Sequence, residues 1–208
     1  GRTSSVLDVA IREGNPPSYH VMGSASPFLA EALVEGPAGN GISWHFSARR
    51  SLVDETSEAL LGSREPLDFD SQLFKVAVTD GENLRCSVLA LRTSDRGQID
   101  PERADSYISW KNLVAGGRCV TQFERVLRLL EVNFSTSSFD NAAVSRGSSM
   151  LRSKVWRMQH DAHTTSLIRS VPVYAGYHAY IELMDYDLAE LFGVQREDND
   201  IFGIDGYV

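Results

Sequence analysis

The sequence predicts an α+β fold: a mostly antiparallel sheet packed by two longer helices, after a helical N-terminal segment. Three observations predict this class. The chain has 208 residues, 42% of them hydrophobic and 23% charged, which is enough to bury a core. Several runs alternate apolar and polar residues with the period of a strand, and other runs have the period of a helix. We therefore divide the chain into an N-terminal segment, 1–65, and an α+β core, 66–208, with an acidic C-terminal end.

The N-terminal segment is predicted to contain short helices and one strand. Residues 5–12, "SVLDVAIR", favour a short helix. In residues 26–36, "SPFLAEALVEG", a serine N-cap, a proline at the first helical position and a glycine at the end predict a second helix. Residues 42–48, "ISWHFSA", alternate as a strand does, and residues 54–62, "DETSEALLG", favour a helix with acids in its first turn.

The first part of the core is predicted to combine a hairpin with the two longer helices. Asp80-Gly81 separates the strand-like runs 72–79 and 84–92, which is typical of a β-hairpin. Residues 101–114, "PERADSYISWKNLV", predict a helix that ends at Gly116-Gly117. From 118 to 130 the apolar residues have helical spacing, and the chain then continues as a strand.

The remaining core is predicted to be a serine-rich loop, 135–149, then a strand or short helix at 150–158, further strands and a last short helix. Residues on one face of the successive elements should be buried. This predicted core consists of Trp110, Phe123, Val126, Leu130, Val132 and Phe134.

The charge is unevenly distributed along the chain. The net charge is −8, and residues 182–208 hold eight acids against Arg196 alone, whereas residues 118–169 are mildly basic. Arg118, Arg125 and Arg128 are therefore candidates for self-association or for binding an anionic surface. Cys86 and Cys119 form no zinc-site pattern, and we expect two buried thiols in a reducing compartment.

A Pro-Pro-x-Tyr stretch near the N-terminus is a candidate partner-binding motif. Pro16 and Pro17 favour the polyproline II conformation, and an aromatic groove such as that of a WW domain would receive the prolines and the ring of Tyr19. The alternative is a bend between structured segments, with Tyr19 packed on the domain.

This motif, followed by "LFKVAV", "YISWKNLVAGGRCVTQFERVLRLL" and "VYAGYHAYIELMDYD", resembles the order of elements in rhabdovirus matrix proteins over residues 72–190. The resemblance implies a non-enzymatic, self-associating assembly protein of the virion, in the host cytoplasm and at the inner membrane face. It also implies partners: further copies of the chain, WW-domain host proteins that promote budding, the nucleocapsid and anionic lipid. No cofactor and no sequence-specific nucleic acid binding are expected. The lysine-rich N-terminal arm of that family is missing here.

The alternative function is that of an ADP-ribosyltransferase. Phe134-Ser135-Thr136-Ser137 resembles the strand-borne Ser-Thr-Ser motif of ADP-ribosyltransferase toxins, and Glu182 follows at a plausible distance as the catalytic glutamate. The resemblance implies that the serines and threonine brace an NAD site. The position two before Glu182 is Tyr180 rather than the glutamate or glutamine of that family.

Two further groups of polar residues are not expected to be sites. His160 and His163 could bring two imidazoles to a metal, together with Asp161. No third strong ligand lies near them in the sequence, so no metal site is predicted. Asp185 and Asp187 are interpreted as a solvated turn rather than a catalytic pair of carboxylates.

Overall fold

The chain folds as a single sheet in which every strand pairs with its neighbours in sequence. The computed structural model describes residues 18–63, 67–81, 83–98, 103, 105–123, 128–145, 148–169, 171–188 and 194–208. The elements are β1 (His20–Ala25), β2 (Leu29–Gly39), β3 (Ile42–Ser51), α1 (Val53–Leu61), β4 (Leu67–Asp80), β5 (Leu84–Gln98), β6 (Tyr107–Phe123), β7 (Arg128–Ser145), β8 (Ser148–Ile168), β9 (Val171–Leu188) and β10 (Val194–Tyr207). The strand order is β1 to β10 without a crossover, and all pairs are antiparallel.

The α+β prediction is therefore wrong. Within the described ranges α1 is the only helix, and it corresponds to the helix predicted at 54–62. It ends at Gly62, which adopts the left-handed conformation that a C-terminal glycine allows. No helix in the described part of the chain is long and apolar enough to cross a bilayer. The helix predicted at 5–12 lies outside the described residues.

The helix predicted at 26–36 is a turn followed by β2. Ser26 does cap the backbone locally, since its Oγ accepts hydrogen bonds from the N–H groups of Phe28 (3.3 Å) and Leu29 (3.1 Å). The chain then extends because β2 pairs along its length with β1 and β3. Here sheet pairing outweighs the helix preference of the Leu, Ala and Glu residues.

The two longer helices predicted at 101–114 and 118–130 are also wrong. Most of these residues belong to β6 and β7. Gly116-Gly117, expected to end a helix, lies in the middle of β6. A Cβ atom on Gly116 would lie 2.8 Å from the backbone oxygen of Phe134, so this glycine permits a close approach of β6 and β7. The serine-rich loop predicted from residue 135 is likewise strand as far as Ser145.

Other local predictions are confirmed. Residues 42–48 lie in β3, and β4 and β5 form the hairpin predicted at Asp80-Gly81, with Gly81 at a φ of 58°. The segment left open between strand and short helix at 150–158 is strand, within β8. Strands β1 to β3, which fall in the predicted N-terminal segment 1–65, belong to the same sheet as β4 to β10.

The register gives the sheet two chemically different faces. Successive side chains of a strand point to opposite faces, and directly paired residues share a face. We call them the polar face, which carries Glu35, His45 and Glu131, and the apolar face, which carries Phe46, Val88 and other large hydrophobic side chains.

Burial is inverted relative to a water-soluble domain. Among the described residues, Ala77 is the only buried hydrophobic residue, while Glu35, His45, Lys75 and Glu131 are buried. The predicted core is wrong: Trp110, Phe123, Leu130 and Phe134 are exposed and Val132 is half-buried, while Val126 lies outside the described residues. The physical reason is that no second layer of secondary structure covers the described sheet.

Candidate functional site

The apolar face carries a continuous band of uncharged side chains, which we call the apolar band. It consists of three rows of residues paired across neighbouring strands. The first row is Val21, Val34, Phe46, Phe74, Ala90, Ala115, Thr136, Met158, Ile181 and Phe202; the second is Gly36, Trp44, Val76, Val88, Gly117, Phe134, His160, Ala179 and Ile204; the third is Ile42, Val78, Cys86, Cys119, Val132, Ala162, Tyr177 and Gly206. None of these residues is Asp, Glu, Lys or Arg.

Several members of the apolar band are strongly exposed. Val88 is 62% exposed, Phe202 68% and Ile204 66%. Large contiguous apolar surfaces are rare on soluble monomers and indicate contact with a partner or with lipid.

A line of charged residues, which we call the charged row, runs parallel to the apolar band and is separated from it by the row that holds Arg92, Trp156 and Asp200. It crosses the sheet from β3 to β10 at constant register, interrupted by Ser94 on β5. Its members are Arg50, Asp70, Lys111, Asp140, Lys154, Asp185 and Asp198. Charges of both signs therefore lie together at the same end of every strand from β3 onward except β5.

One polar pair lies within the apolar band, and its members satisfy each other. The hydroxyl of Tyr177 is 3.0 Å from Nδ1 of His160. Their rings stack with centroids 5.6 Å apart. This pairing lowers the cost of placing two polar groups in apolar surroundings.

The polar face, in contrast, holds a network centred on Glu131 of β7. Its Oε2 accepts a hydrogen bond from Arg118 Nη2 (2.9 Å), and its Oε1 forms an ion pair with Arg118 Nε (2.8 Å). Asn133 Nδ2 donates to Glu131 Oε1 (3.0 Å) and to Asp161 Oδ2 (2.7 Å), and His163 Nε2 lies 3.4 Å from Glu131 Oε2. Three strands, β6 to β8, are thus joined through their side chains.

The pKa of Glu131 is lowered by this network. Burial of the carboxyl group raises its pKa, but hydrogen bonds from Arg118 and Asn133, and the charges of Arg118 and His163, outweigh that effect. The net result is a pKa below the ordinary value of 4.5. Glu131 is therefore ionised at neutral pH.

Glu131→Gln is expected to lower the free energy of unfolding at pH 7 by about 1–2 kcal/mol, because charge-assisted hydrogen bonds are lost. A lowered pKa in the folded state means that the carboxylate stabilises the fold above pH 4.5 and that this stabilisation is lost as the pH falls through the folded-state value. Urea unfolding at pH 7 and pH 3 should show a smaller acid-induced loss for the variant than for the wild type. Glu58→Gln, on the exposed surface of α1, is the control; an equal effect of both variants would contradict the assignment.

A second buried polar group lies on strands β2 to β4. Glu35 Oε2 is 3.3 Å from Nδ1 of His45, and Glu35 Oε1 is 3.6 Å from Nδ1 of His20. Lys75 is the cross-strand neighbour of His45. The polar face thus buries ionisable groups beside one another over both halves of the sheet.

The residues of the transferase prediction are divided between the two faces. Ser135 and Ser137 lie on the polar face, whereas Phe134 and Thr136 lie on the apolar face. Glu182 shares the polar face but is separated from Ser137 by Arg157 of β8, whose Nη1 is 3.6 Å from Glu182 Oε2.

Arg157 also lies over the ring of Tyr180, 4.9 Å from its centroid. The same arginine thus contacts both Tyr180 and the carboxylate of Glu182. The catalytic role of Glu182 stays a prediction.

The predicted partner-binding residues are only partly described. Pro16 and Pro17 lie outside the described residues. Tyr19 is 69% exposed, and its ring lies over Gly36, where a Cβ atom would be 2.3 Å from Cδ1 of the tyrosine. The ring is thus accessible while resting on the edge of the sheet.

The part of the chain that the structure describes includes two of the three arginines proposed for self-association. Arg118 is held by Glu131, as described above. Arg125 lies outside the described residues, and Arg128 is the first residue of β7. Their joint role stays a prediction.

For metal binding, His160 and His163 lie on opposite faces of β8. In the part of the chain that the structure describes, no group of three His, Cys, Asp or Glu residues is placed to hold a metal ion. Asp185 and Asp187 lie within β9, so the predicted turn is wrong; they lie beyond the apolar band, opposite Lys154 and Arg152 of β8.

The two cysteines form a disulfide, so the prediction of separate buried thiols is wrong. Cys86 of β5 lies directly opposite Cys119 of β6, with Cα atoms 4.1 Å apart. The pairing was not predicted because a helix was expected at 101–114, where the first part of β6 lies. The signal that would have revealed it is that the two cysteines are equidistant from the connection between β5 and β6.

The apolar band was also missed, because much of β2, β6 and β7 was predicted to be helix or loop, so no strand faces were assigned there. No protein-family model, curated protein or solved structure matches the chain.

Proposed function

We propose that this chain is the lipid-contacting sheet of an integral membrane protein, with its apolar band against hydrocarbon and its polar face bordering water at membrane depth. The observation that carries the proposal is the inverted burial. The apolar band is exposed and contains no charged residue over the whole width of the sheet, whereas ionisable side chains on the other face are buried. Ionisable residues at membrane depth mark pathways or binding surfaces for polar solutes and ions. This is the function that we infer for the polar face.

The dimensions of the apolar face support hydrocarbon as the occupant. On β8, ten positions separate Lys154 of the charged row from Thr164 beyond the third row of the apolar band. At a rise of about 3.3 Å per residue, ten positions of an upright strand span about 33 Å, close to the hydrocarbon thickness of about 30 Å. On β8 the face is therefore uncharged over the height that a bilayer requires, while on other strands Asp80, Arg92 and Asp200 lie in the two rows that flank the apolar band.

The charged row supports lipid over a protein partner. Lipid headgroups form a layer at constant height, and a row of charges at constant register places Lys111, Lys154 and Asp185 in such a layer. Trp156, one row from Lys154, lies where tryptophan is enriched in membrane proteins.

This proposal differs in mechanism from the membrane contact expected from the sequence. That contact relied on arginines attracted to anionic lipid, whereas the contact proposed here is with the hydrocarbon chains. The assembly-protein and transferase interpretations stay predictions, since no contact among the described residues favours either.

The three tryptophans provide the test, because two lie on the apolar face and one on the polar face. In single-tryptophan variants reconstituted into vesicles, brominated acyl chains are expected to quench Trp44 and Trp156 several-fold more than Trp110. Bromine deep in the chains should act most on Trp44, in the second row. Bromine near the headgroups should act most on Trp156.

An aqueous quencher provides the control and should give the reverse order. Acrylamide is expected to quench Trp110 more than Trp44. Equal quenching of all three tryptophans by brominated lipid, or none of Trp44, would show that lipid does not cover the apolar band. Equal labelling of Ser135→Cys and Thr136→Cys by a water-soluble maleimide in vesicles would refute a hydrated polar face, because these neighbours point to opposite faces.

A further inference from the structure

The disulfide lies in a position that water does not reach under the proposed function, on which this inference rests. Cys86 and Cys119 occupy the third row of the apolar band, between Val78 of β4 and Val132 of β7. The neighbours of Cys86 and Cys119 in the second row are Val88 and Gly117. The sulfur atoms therefore point toward the hydrocarbon side of the sheet.

Closing this bond requires chemistry that hydrocarbon does not support. Two thiols lose two protons and two electrons, and a disulfide-bearing oxidant accepts both electrons and both protons and becomes a dithiol. The exchange proceeds through a thiolate and a mixed disulfide. A thiolate is strongly disfavoured in hydrocarbon, and a water-soluble oxidant does not enter it.

We propose that the Cys86–Cys119 bond is closed in an oxidising aqueous compartment before the sheet contacts lipid, and that lipid then seals it from aqueous thiols and oxidants. The β5–β6 hairpin is thus joined covalently before its apolar face contacts lipid and its polar face contacts water. Disulfides form in oxidising compartments, so the reducing compartment expected from the sequence is replaced by an oxidising one on the route to the membrane.

The order of events is tested by reversing it. The full chain is reduced in urea and folded into vesicles under reducing buffer. The reductant is then removed and oxidised glutathione is added. Alkylation of free thiols, followed by gel mobility, should show that Cys86 and Cys119 stay reduced. The rate of disulfide formation in vesicles should be at least about ten-fold lower than in urea, where the thiols are exposed to water.

A cysteine pair on the polar face provides the matched control. Val114 of β6 and Ser137 of β7 lie directly opposite each other on that face. In the Cys86→Ala/Cys119→Ala background, Val114→Cys/Ser137→Cys should close readily in vesicles under the same treatment.

The outcomes separate this inference from the proposed function. Closure of the native pair in vesicles as fast as closure of the control pair would overturn the inference. The membrane proposal would still stand in that case if brominated lipid quenched Trp44. Loss of both the protection and the quenching would defeat both. If the reduced chain does not fold into vesicles whereas the oxidised chain does, closure before insertion is required, and the inference is supported.

Discussion

Replacing Met158 with arginine is expected to lower the free energy of unfolding from lipid vesicles by about 2–4 kcal/mol, whereas the same replacement at Gln159 is expected to cost less than about 1 kcal/mol. The two residues are neighbours on β8 and have side chains of similar length. Met158 lies in the first row of the apolar band and Gln159 lies on the polar face, between Ser135 and Tyr180. The difference arises because a guanidinium group in hydrocarbon loses its hydration without compensation, while on the polar face the hydroxyls of Ser135 and Tyr180 are cross-strand neighbours that can accept its hydrogen bonds.

Urea unfolding of both variants in vesicles, followed by tryptophan fluorescence, measures this difference. The comparison has an internal control, since both variants add one arginine to the same strand. Equal losses would show that the two faces meet the same solvent. A larger loss at Gln159 would show that the polar face is the one packed against apolar material.

Cys86→Ala/Cys119→Ala is expected to lower the free energy of unfolding by about 3–4 kcal/mol. The bond closes a loop of 33 residues, and restricting the unfolded chain by a loop of that length stabilises the fold by about this amount. The midpoint of urea unfolding under non-reducing conditions measures the effect. Val132→Ala, beside Cys119 in the same row, removes apolar volume but keeps the cross-link, and it should cost clearly less.

Two results would contradict this expectation. An unchanged midpoint in the double variant would show that the unfolded chain is not restricted by the bond. A loss in Val132→Ala as large as that of the double variant would assign the effect to packing in the third row rather than to the cross-link.

Strands with strong alternation and a clear turn could be predicted from the sequence. Asp80-Gly81 between two alternating runs predicted the β4–β5 hairpin, and the acids and the terminal glycine predicted α1. These signals act within a few residues and do not depend on the surroundings of the sheet.

β2 and β6 could not be predicted in the same way. In β2 the alternating positions carry Leu and Glu on one face and mainly Ala on the other, and all three residue types also favour helices. In β6, Gly116-Gly117 suggested a helix end, but close approach of the neighbouring strand is what requires Gly116. Register between strands is a long-range property that a local pattern does not contain.

The candidate site could not be predicted because alternation does not say which face is the inside. Phe134 and Ser135 alternate equally well in a sheet whose apolar face meets a protein core and in one whose apolar face meets lipid. The pairing of Glu131 with Arg118 likewise depends on the register of β6 and β7.

The sequential strand order bears on how this architecture can evolve. Each strand finds its partners among its nearest neighbours in the chain, so the sheet is built from repeated antiparallel hairpins. Duplication or deletion of one hairpin would change the width of the sheet by two strands and leave the threading and the facing of all the others intact. The number of strands can therefore change in steps of two while the remaining strands keep their orientation and their assignment to the two faces.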